Sequence, residues 1–247
     1  MDERYIYIYG KHAVREALMY KPEVVRELFL RDDVREEFSR SLILQIPVRI
    51  FKGDAIPKAV DKHAVHQGCI AQIDKEKLVV DFDTFLQGLT ITVHSGLVLL
   101  GEVQDPHNVG AVIRSAAAFG LAGVLIPEHR QAGVTGTVVK VSAGMAFKMP
   151  LIEVPNVNRA IESLKKAGFF IYGLDADADA VVTTERFTKP SVFVLGNEGE
   201  GLRAKTREHC DSILSIPMHP RAESLNASAS AAVAFYAWST QHQEALR

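Results

Sequence analysis

Three short blocks of glycine, amide and small polar residues stand out in the second half of this 247-residue chain. The first runs from Asp105 to Gly110 and is followed by Arg114, the second spans 195–201, and the third comprises 215–218 and 224–228. Each block follows an apolar stretch that predicts a buried strand. Ligands of α/β proteins bind at the carboxyl ends of such strands. The sequence therefore predicts one ligand site built from three loops.

The glycine-rich block could hold a ligand through its backbone. Gly196, Gly199 and Gly201 are spaced G-x-x-G-x-G, the reverse of the Rossmann order. Glu198 and Glu200 would repel a pyrophosphate, and no Walker lysine is present, so an NAD- or ATP-dependent enzyme is disfavoured. Taken alone, the block could also be a turn that needs a permissive backbone.

Several polar residues of the other two blocks allow a structural or a chemical role. Asn108, Ser224 or Asn226 could each cap the helix that follows. Arg114 lies in a predicted helix that otherwise consists mainly of Val, Ile and Ala, where a lone arginine often only reaches solvent. Pro217 ends the third strand because it lacks an N–H group, which leaves neighbouring backbone groups free for a ligand.

Together the three blocks resemble the motifs of the SpoU/TrmH branch of the SPOUT superfamily, the knotted RNA ribose 2′-O-methyltransferases that use S-adenosylmethionine. The segments Tyr9–Val14 and Ala64–Gly68 are similar to the small RNA-binding domain that precedes the catalytic domain in bacterial 23S rRNA guanosine 2′-O-methyltransferases. The resemblance implies an α/β fold: a small N-terminal α/β RNA-binding domain, then a mainly parallel sheet covered by helices and holding a deep trefoil knot.

The resemblance also implies roles for individual residues. It places Arg114 at the centre of catalysis with Asn108 in support, and it directs Ser224 and Asn226 toward the reacting ribose. Because a guanidinium is effectively always protonated in proteins, we interpret Arg114 as a phosphate clamp and a stabiliser of the forming alkoxide. Glu198 or a water is then the candidate proton acceptor. The residues expected to hold S-adenosylmethionine are Leu195, Gly196, Asn197, Gly201, Ile216, Pro217, Met218 and Leu225.

The composition sets further bounds. The chain is 47% hydrophobic, but no apolar run approaches the roughly 20 residues of a membrane helix, so no membrane partner is expected. Its acidic start does not resemble a signal peptide. Cys69 and Cys210 are too few for a disulfide scaffold, which predicts a cytoplasmic protein. His63, His66 and Cys69 lie three residues apart without an evident fourth ligand, so no metal is expected.

The charge gives no general attraction for nucleic acid. The formal net charge is −2, and residues 1–80 hold 14 Lys and Arg against 13 Asp and Glu. Any RNA surface must therefore be a local patch. The phosphate contacts that we expect in the N-terminal region are Lys11, Arg15, Arg35 and Arg40.

Periodicity divides the chain into an N-terminal domain at 1–78, a linker at 79–94 and a catalytic domain at 95–247. In the first, predicted strands at 5–9, 27–30, 47–51 and 68–73 alternate with helices at 11–20, 34–44 and 54–60. In the last, strands at 97–100, 123–126, 151–154, 169–174, 191–195 and 212–216 alternate with helices at 109–119, 137–146, 157–166 and 225–242.

The sequence thus predicts methylation of a ribose 2′-hydroxyl in structured RNA, with a guanosine of 23S rRNA favoured by the resemblance. A tRNA ribose 2′-O-methyltransferase and a non-catalytic RNA-binding protein that retains the fold are the alternatives. The last helix is apolar or small on nearly every face, so it is buried in a core or at a subunit contact. The resemblance favours the second arrangement, a homodimer.

Overall fold

The computed structural model describes residues 4–38, 43, 45–53, 55–61, 63–129 and 131–247. Within these ranges the chain forms a four-stranded sheet near its N-terminus and an eight-stranded sheet in the remainder. Alternating strands and helices were predicted for both parts, and the α/β class is confirmed.

The N-terminal sheet has the strand order β1-β4-β2-β3. Its strands are β1 (Tyr5–Tyr9), β2 (Val25–Arg31), β3 (Val48–Phe51) and β4 (Cys69–Asp74). Strand β4 is antiparallel to both neighbours, whereas β2 and β3 are parallel. Helix α1 (Lys11–Tyr20) buries Val14, Ala17 and Leu18, which are three and four residues apart, as expected for an amphipathic helix. A short helix, α2 (Asp32–Arg35), follows β2.

The second sheet has the order β10-β12-β9-β11-β6-β7-β8-β5, and its strand pairs are all parallel. Its strands are β5 (Val79–Asp81), β6 (Gly96–Leu100), β7 (Gly123–Pro127), β8 (Leu151–Val154), β9 (Phe170–Leu174), β10 (Ala180–Val181), β11 (Ser191–Leu195) and β12 (Ser212–Ser215). Its helices are α3 (Phe82–Gly88), α4 (Pro106–Ala118), α5 (Gly136–Val141), α6 (Val157–Lys166), α7 (Ala204–His209) and α8 (Ala227–Gln241).

Both faces of this sheet are covered, which explains why its strands are apolar without a break. Successive residues of a strand point to opposite faces. Val98 accordingly packs in one buried cluster with Val112 of α4 and Phe235 of α8, while Leu99 packs in a second cluster with Ile161 of α6. None of the helices in the described ranges has the length and apolar character needed to cross a membrane.

The structure differs from the predicted elements mainly where they are short. The helix predicted at 34–44 ends at Arg35, and its residues 39–42 and 44 lie outside the described residues. The helix predicted at 54–60 is wrong, since residues 55–60 form irregular chain and a turn, and residue 54 lies outside the described residues. Residues 79–94, which were predicted as a linker, contain strand β5 of the second sheet and helix α3. Charged and polar residues dominate α7, which gave no apolar period to detect.

The two parts of the chain meet along the segment 136–148. Lys148 Nζ lies 2.5 Å from a carboxylate oxygen of Glu16, whose residue is only 8% exposed. His12 Nε2 lies 3.1 Å from the carbonyl oxygen of Ala143. Buried residues of both sheets belong to one continuous cluster. The two parts of the chain therefore share a core.

The tightest point of this interface is Gly136, at the start of α5. A Cβ atom there would lie 2.2 Å from the carbonyl oxygen of Tyr7 in β1, a distance at which the backbone must move. Gly136→Ala should therefore destabilise the protein by roughly 1–3 kcal/mol, the usual range for overpacking. Urea unfolding measures the change. Gly133→Ala is the matched control because no heavy atom lies within 4 Å of its Cβ position. Equal stability of the two variants would contradict the packing of 136–148 against β1.

Candidate active site

The carboxyl ends of β9, β11 and β12 lie side by side at one edge of the parallel sheet, because these three strands are neighbours. The loops that follow them enclose a cleft of about 390 Å³. The cleft is lined by residues of all three loops and of the first turn of α8: Leu174–Asp177, Leu195–Gly201, Leu214, Ile216, Met218, Ser224, Leu225, Ala227 and Ser230. The second and third sequence blocks thus line one cleft, whereas no residue of the first block lies in its lining.

The glycine loop after β11 folds back on itself. The backbone N–H of Asn197 donates to the Gly201 carbonyl at 2.9 Å, and the Gly201 N–H donates to the Asn197 carbonyl at the same distance. A Cβ atom on Gly196 would lie 2.2 Å from the carbonyl carbon of Gly201. The side-chain oxygen of Asn197 also accepts the N–H groups of Gly199 and Glu200. The loop can therefore close only with glycine at 196.

Hydrogen bonds tie the glycine loop to the first block. The N–H of Gly101 donates to the Leu195 carbonyl at 2.6 Å, and the Asn197 amide donates to the Glu102 carbonyl at 3.0 Å. These two bonds fix the start of the chain that leads from β6 into α4. The glycine loop and the loop that leads to Arg114 consequently form one connected unit.

Glu198 completes this connection with its carboxylate. Its oxygens accept the backbone N–H groups of Gln104 and Asp105 and the side-chain amide of Asn108, each at 3.2 Å. Partial burial raises the pKa of the Glu198 carboxyl, but these donors outweigh burial and hold the pKa below its usual value. The stabilisation from the ionised form is therefore present at neutral pH and is lost as the pH falls through this lowered value.

Helix α4 begins three residues earlier than predicted, at Pro106. Asp105 is its N-cap and accepts the N–H of His107 at 2.8 Å, so the interpretation of Asn108 as the cap is wrong. Asn108 instead lies within the first turn, where its amide faces Glu198. Arg114 is exposed on the same helix, and no described residue forms a hydrogen bond or an ion pair with its guanidinium. That cation is free to meet a ligand.

The third block is divided between the cleft and the helix cap. Ile216, Met218, Ser224 and Leu225 line the cleft, whereas Pro217 does not. Asn226 is the N-cap of α8, since its side-chain oxygen accepts the N–H of Ala229 at 2.7 Å. The capping alternative therefore describes the geometry of Asn226.

The loop after β9 also lines the cleft, which the sequence reasoning did not foresee. Asp175 and Asp177 follow directly on this strand, and Asp175 forms an ion pair with Arg207 of α7. Their position after an apolar strand was the same signal that marked the other blocks.

The cleft is acidic. Four carboxylates line it, those of Asp175, Asp177, Glu198 and Glu200, and among the described residues its lining contains no Lys, Arg or His. Such a cleft repels a phosphate and attracts a cation. The described residues contain no cluster of His, Cys, Asp and Glu that could hold a metal ion. The geometry suits an organic ligand with apolar surface and positive charge.

Two family models match the chain. Residues 96–236 match the SpoU rRNA Methylase family, and residues 7–79 match the RNA 2′-O ribose methyltransferase substrate binding domain. The first match contains the three blocks that form the candidate site. The second ends beside β5, where the second sheet begins.

Curated relatives match over nearly the whole chain. The 23S rRNA (guanosine-2′-O-)-methyltransferase RlmB of Neisseria meningitidis serogroup B is 36% identical over 91% of this chain and 90% of its own length. The RlmB of Nitrosomonas europaea is also 36% identical, over 96% of this chain and 92% of its own length.

Solved structures share the fold. The SpoU methyltransferase AviRb from Streptomyces viridochromogenes, in complex with AdoMet, superposes with a TM-score of 0.80 at 25% identity and covers 97% of this chain and 91% of its own. An AdoMet-bound rRNA methyltransferase from Sinorhizobium meliloti superposes with a TM-score of 0.79 at 20% identity and covers 95% of this chain and 87% of its own. The family implied by the resemblance is confirmed, and the chain belongs to the SpoU rRNA methylase family.

Proposed function

We propose that this protein transfers a methyl group from S-adenosylmethionine to a ribose 2′-hydroxyl of RNA, and that its substrate is a guanosine of 23S rRNA. The relatives that carry this activity in their names match at least nine-tenths of the chain. An rRNA substrate also supports a cytoplasmic location. The knot expected from the resemblance belongs to the same proposal.

The negative charge of the cleft is the observation that most strongly supports this proposal. S-Adenosylmethionine combines a positively charged sulfur and an ammonium group with a flat, uncharged adenine. The carboxylates of Asp177 and Glu200 suit the cations, and Leu195, Ile216 and Leu225 provide apolar walls for the adenine. An ATP or NAD ligand would bring its phosphates against these carboxylates with no cation in the cleft lining to balance them.

The residues that would hold the methyl donor are those of the second and third blocks. The Gly196–Gly201 loop exposes backbone groups beside the apolar walls, and Met218 and Ser224 close the cleft from the other side. When bound, S-adenosylmethionine supplies an electrophilic methyl group. Pro217 lies outside the cleft lining, so we assign it only the role of ending β12.

The first block supplies the RNA side of the site. Arg114 presents a free guanidinium, which we propose holds a phosphate of the RNA and stabilises negative charge on the ribose oxygen. Asn108 is held by Glu198 near the start of the same helix. Because the lowered pKa of Glu198 makes it a weak base, we assign it a positioning role and assign proton uptake to water.

Three further proposals concern organisation. We propose that residues 1–78 bind RNA, that 79–94 join the two parts, and that 95–247 carry out the methyl transfer. Val233 and Tyr236 of α8 are apolar and exposed, by 37% and 60%, which supports a homodimer that covers them. Lys11 already pairs with Glu37, and Arg40 lies outside the described residues, so Arg15 and Arg35, both exposed, are the expected phosphate contacts that remain.

Gly196→Ala should abolish S-adenosylmethionine binding. The added methyl would meet the backbone of Gly201 and break the closed form of the loop. Isothermal titration calorimetry measures the affinity. Gly199→Ala is the control, because its Cβ position meets only the Asn197 side-chain oxygen at 3.5 Å, an ordinary contact. Wild-type affinity in Gly196→Ala would show that the ligand does not use this loop.

Arg114→Ala should lower methyl transfer by at least 100-fold, about the effect of removing one stabilising donor, while S-adenosylmethionine affinity stays within twofold of wild type. A tritium-transfer assay on 23S rRNA and calorimetry measure the two quantities. Arg159→Ala is the control, since Arg159 is also an exposed helical arginine but lies on α6 against the opposite face of the sheet. Turnover within a few-fold of wild type would reduce Arg114 to a surface residue.

Glu198→Gln distinguishes positioning from proton transfer. The amide oxygen of glutamine can still accept some of the three hydrogen bonds, so turnover should fall by less than about tenfold, and Glu198→Ala should cost more. Because the native carboxylate is ionised across neutral pH, the rate profile above about pH 6 should keep its shape in the Gln variant. If Gln and Ala are equally inactive and the acidic limb of the profile disappears, the carboxylate takes the proton.

A further inference from the structure

One face of the N-terminal sheet presents aromatic rings that the reaction does not use. The rings of Tyr7 in β1 and Phe29 in β2 lie 6.2 Å apart and are tilted by 53°. The strand registers place Gln72 opposite Tyr7 and Arg49 opposite Phe29. Residues directly opposite each other in a sheet point to the same side. We call these four residues, together with Arg26 beside them, the aromatic face.

The aromatic face is open, whereas the other side of the sheet is closed. Ile8, Leu28 and Ala71 alternate with the residues of the aromatic face and are fully buried toward α1. Tyr7, Phe29 and Gln72 are only half-buried, and they border a shallow groove of about 750 Å³. The groove is edged by Pro47, Pro57 and Lys58.

On this side of the N-terminal sheet, the open part is the end that carries Tyr7 and Phe29. Farther along, Phe51 and Ile70 are buried, and the ring of His66 packs edge-on against Phe51 with a centroid distance of 5.6 Å. Tyr7 and Phe29, by contrast, border the open groove. The open part is therefore large enough for a few flat groups and too small for a sheet-wide protein contact.

Cations surround the rings. The Arg26 guanidinium lies 4.2 Å from the centroid of the Tyr5 ring. The Arg49 guanidinium lies 5.9 Å from the Phe29 ring, forms an ion pair with Glu27, and has a side chain that is 71% exposed. Among the described residues that border the groove, Arg26, Arg49 and Lys58 outnumber the one acid, Glu27. Flat rings beside local positive charge match a ligand that carries flat rings beside negative charge.

We propose that the aromatic face stacks unpaired bases of the RNA substrate, a role that rests on the proposed function because that RNA is the methyl acceptor. Bases splayed out of a loop stack on aromatic side chains, and other four-stranded sheets with aromatic residues on an open face bind RNA in this way. Arg26, Arg49 and Lys58 contact the phosphates between the bases. The Gln72 amide donates to the Tyr7 hydroxyl at 3.1 Å, so both groups are positioned to bond a base edge.

Binding of short RNA by the full-length protein tests this site. The probes are fluorescein-labelled 12-nucleotide oligouridylate and oligoadenylate, with a blunt 12-base-pair RNA duplex for comparison. Tyr7→Ala and Phe29→Ala should each weaken single-strand binding by roughly 5- to 100-fold, the usual cost of losing one stacked base. Duplex binding should change less than twofold. Tyr7→Phe should bind the single strands nearly as wild type does, because its ring still stacks.

Two further measurements exclude a general loss of structure. Tyr20→Ala is the matched control, since Tyr20 is a half-exposed tyrosine at the end of α1, away from the aromatic face. Its single-strand affinity should equal that of wild type. Arg49→Gln should reduce the slope of log affinity against log salt by about one, as expected when one phosphate contact is lost. A 2-aminopurine base in the oligoadenylate should lose fluorescence on binding wild type but not Phe29→Ala.

Equal single-strand affinity of wild type, Tyr7→Ala and Phe29→Ala would overturn the proposal, as would an equal loss in Tyr20→Ala. S-Adenosylmethionine affinity, measured on the same samples, separates this failure from that of the proposed function. If the methyl donor binds but the aromatic variants are unaffected, only the stacking site is wrong. If no variant or wild type binds the methyl donor while the single strands bind as expected, the methyl-transfer proposal is wrong.

Discussion

The candidate site depends on one close approach of the backbone to itself, between Gly196 and Gly201. Any side chain at 196 would occupy the space of the Gly201 carbonyl group. Because the loop closes there, Asn197 can bond the chain that leaves β6, and Glu198 can reach the first turn of α4. The glycine loop therefore positions both the cleft that suits the methyl donor and the helix that carries Arg114. The steric requirement for glycine at 196 therefore couples the cleft to the helix that carries Arg114.

The distribution of charge explains how a chain of net charge −2 can serve an RNA substrate. The cleft that suits a cationic methyl donor is acidic, so RNA phosphates are repelled from it. Arg114 stands apart from the cleft lining, on an otherwise apolar helix, and the cations of the N-terminal sheet lie in the other part of the chain. Opposite charges are thus kept on separate surfaces, and whole-chain charge carries little information about the partner.

The sequence predicted the parts of the fold that rest on long apolar periods. Six of the eight strands of the second sheet and helices such as Val157–Lys166 follow from patterns that only a buried strand or an amphipathic helix explains, whereas β5 and β10 were not predicted. Short elements were missed because four to six residues do not establish a period. The N-cap of α4 was misplaced because Asp105 and Asn108 are both good caps, and only the structure shows that Glu198 already engages Asn108. Asp175 and Asp177 were missed because two acidic residues after a strand are equally typical of an exposed turn.

Long-range contacts were beyond the reach of any local pattern. The alternation Tyr5–Tyr9 predicts a strand with aromatic residues on one side, but it cannot show whether that side is covered. The structure shows that His66 packs against Phe51, whereas Tyr7 and Phe29 border an open groove. If these rings were buried, they would contribute only to core packing. Because they are accessible and lie beside arginines, they combine a stacking surface with positive charge opposite to that of phosphates. The accessibility of the rings on that strand therefore depends on a chain segment almost fifty residues away in the sequence.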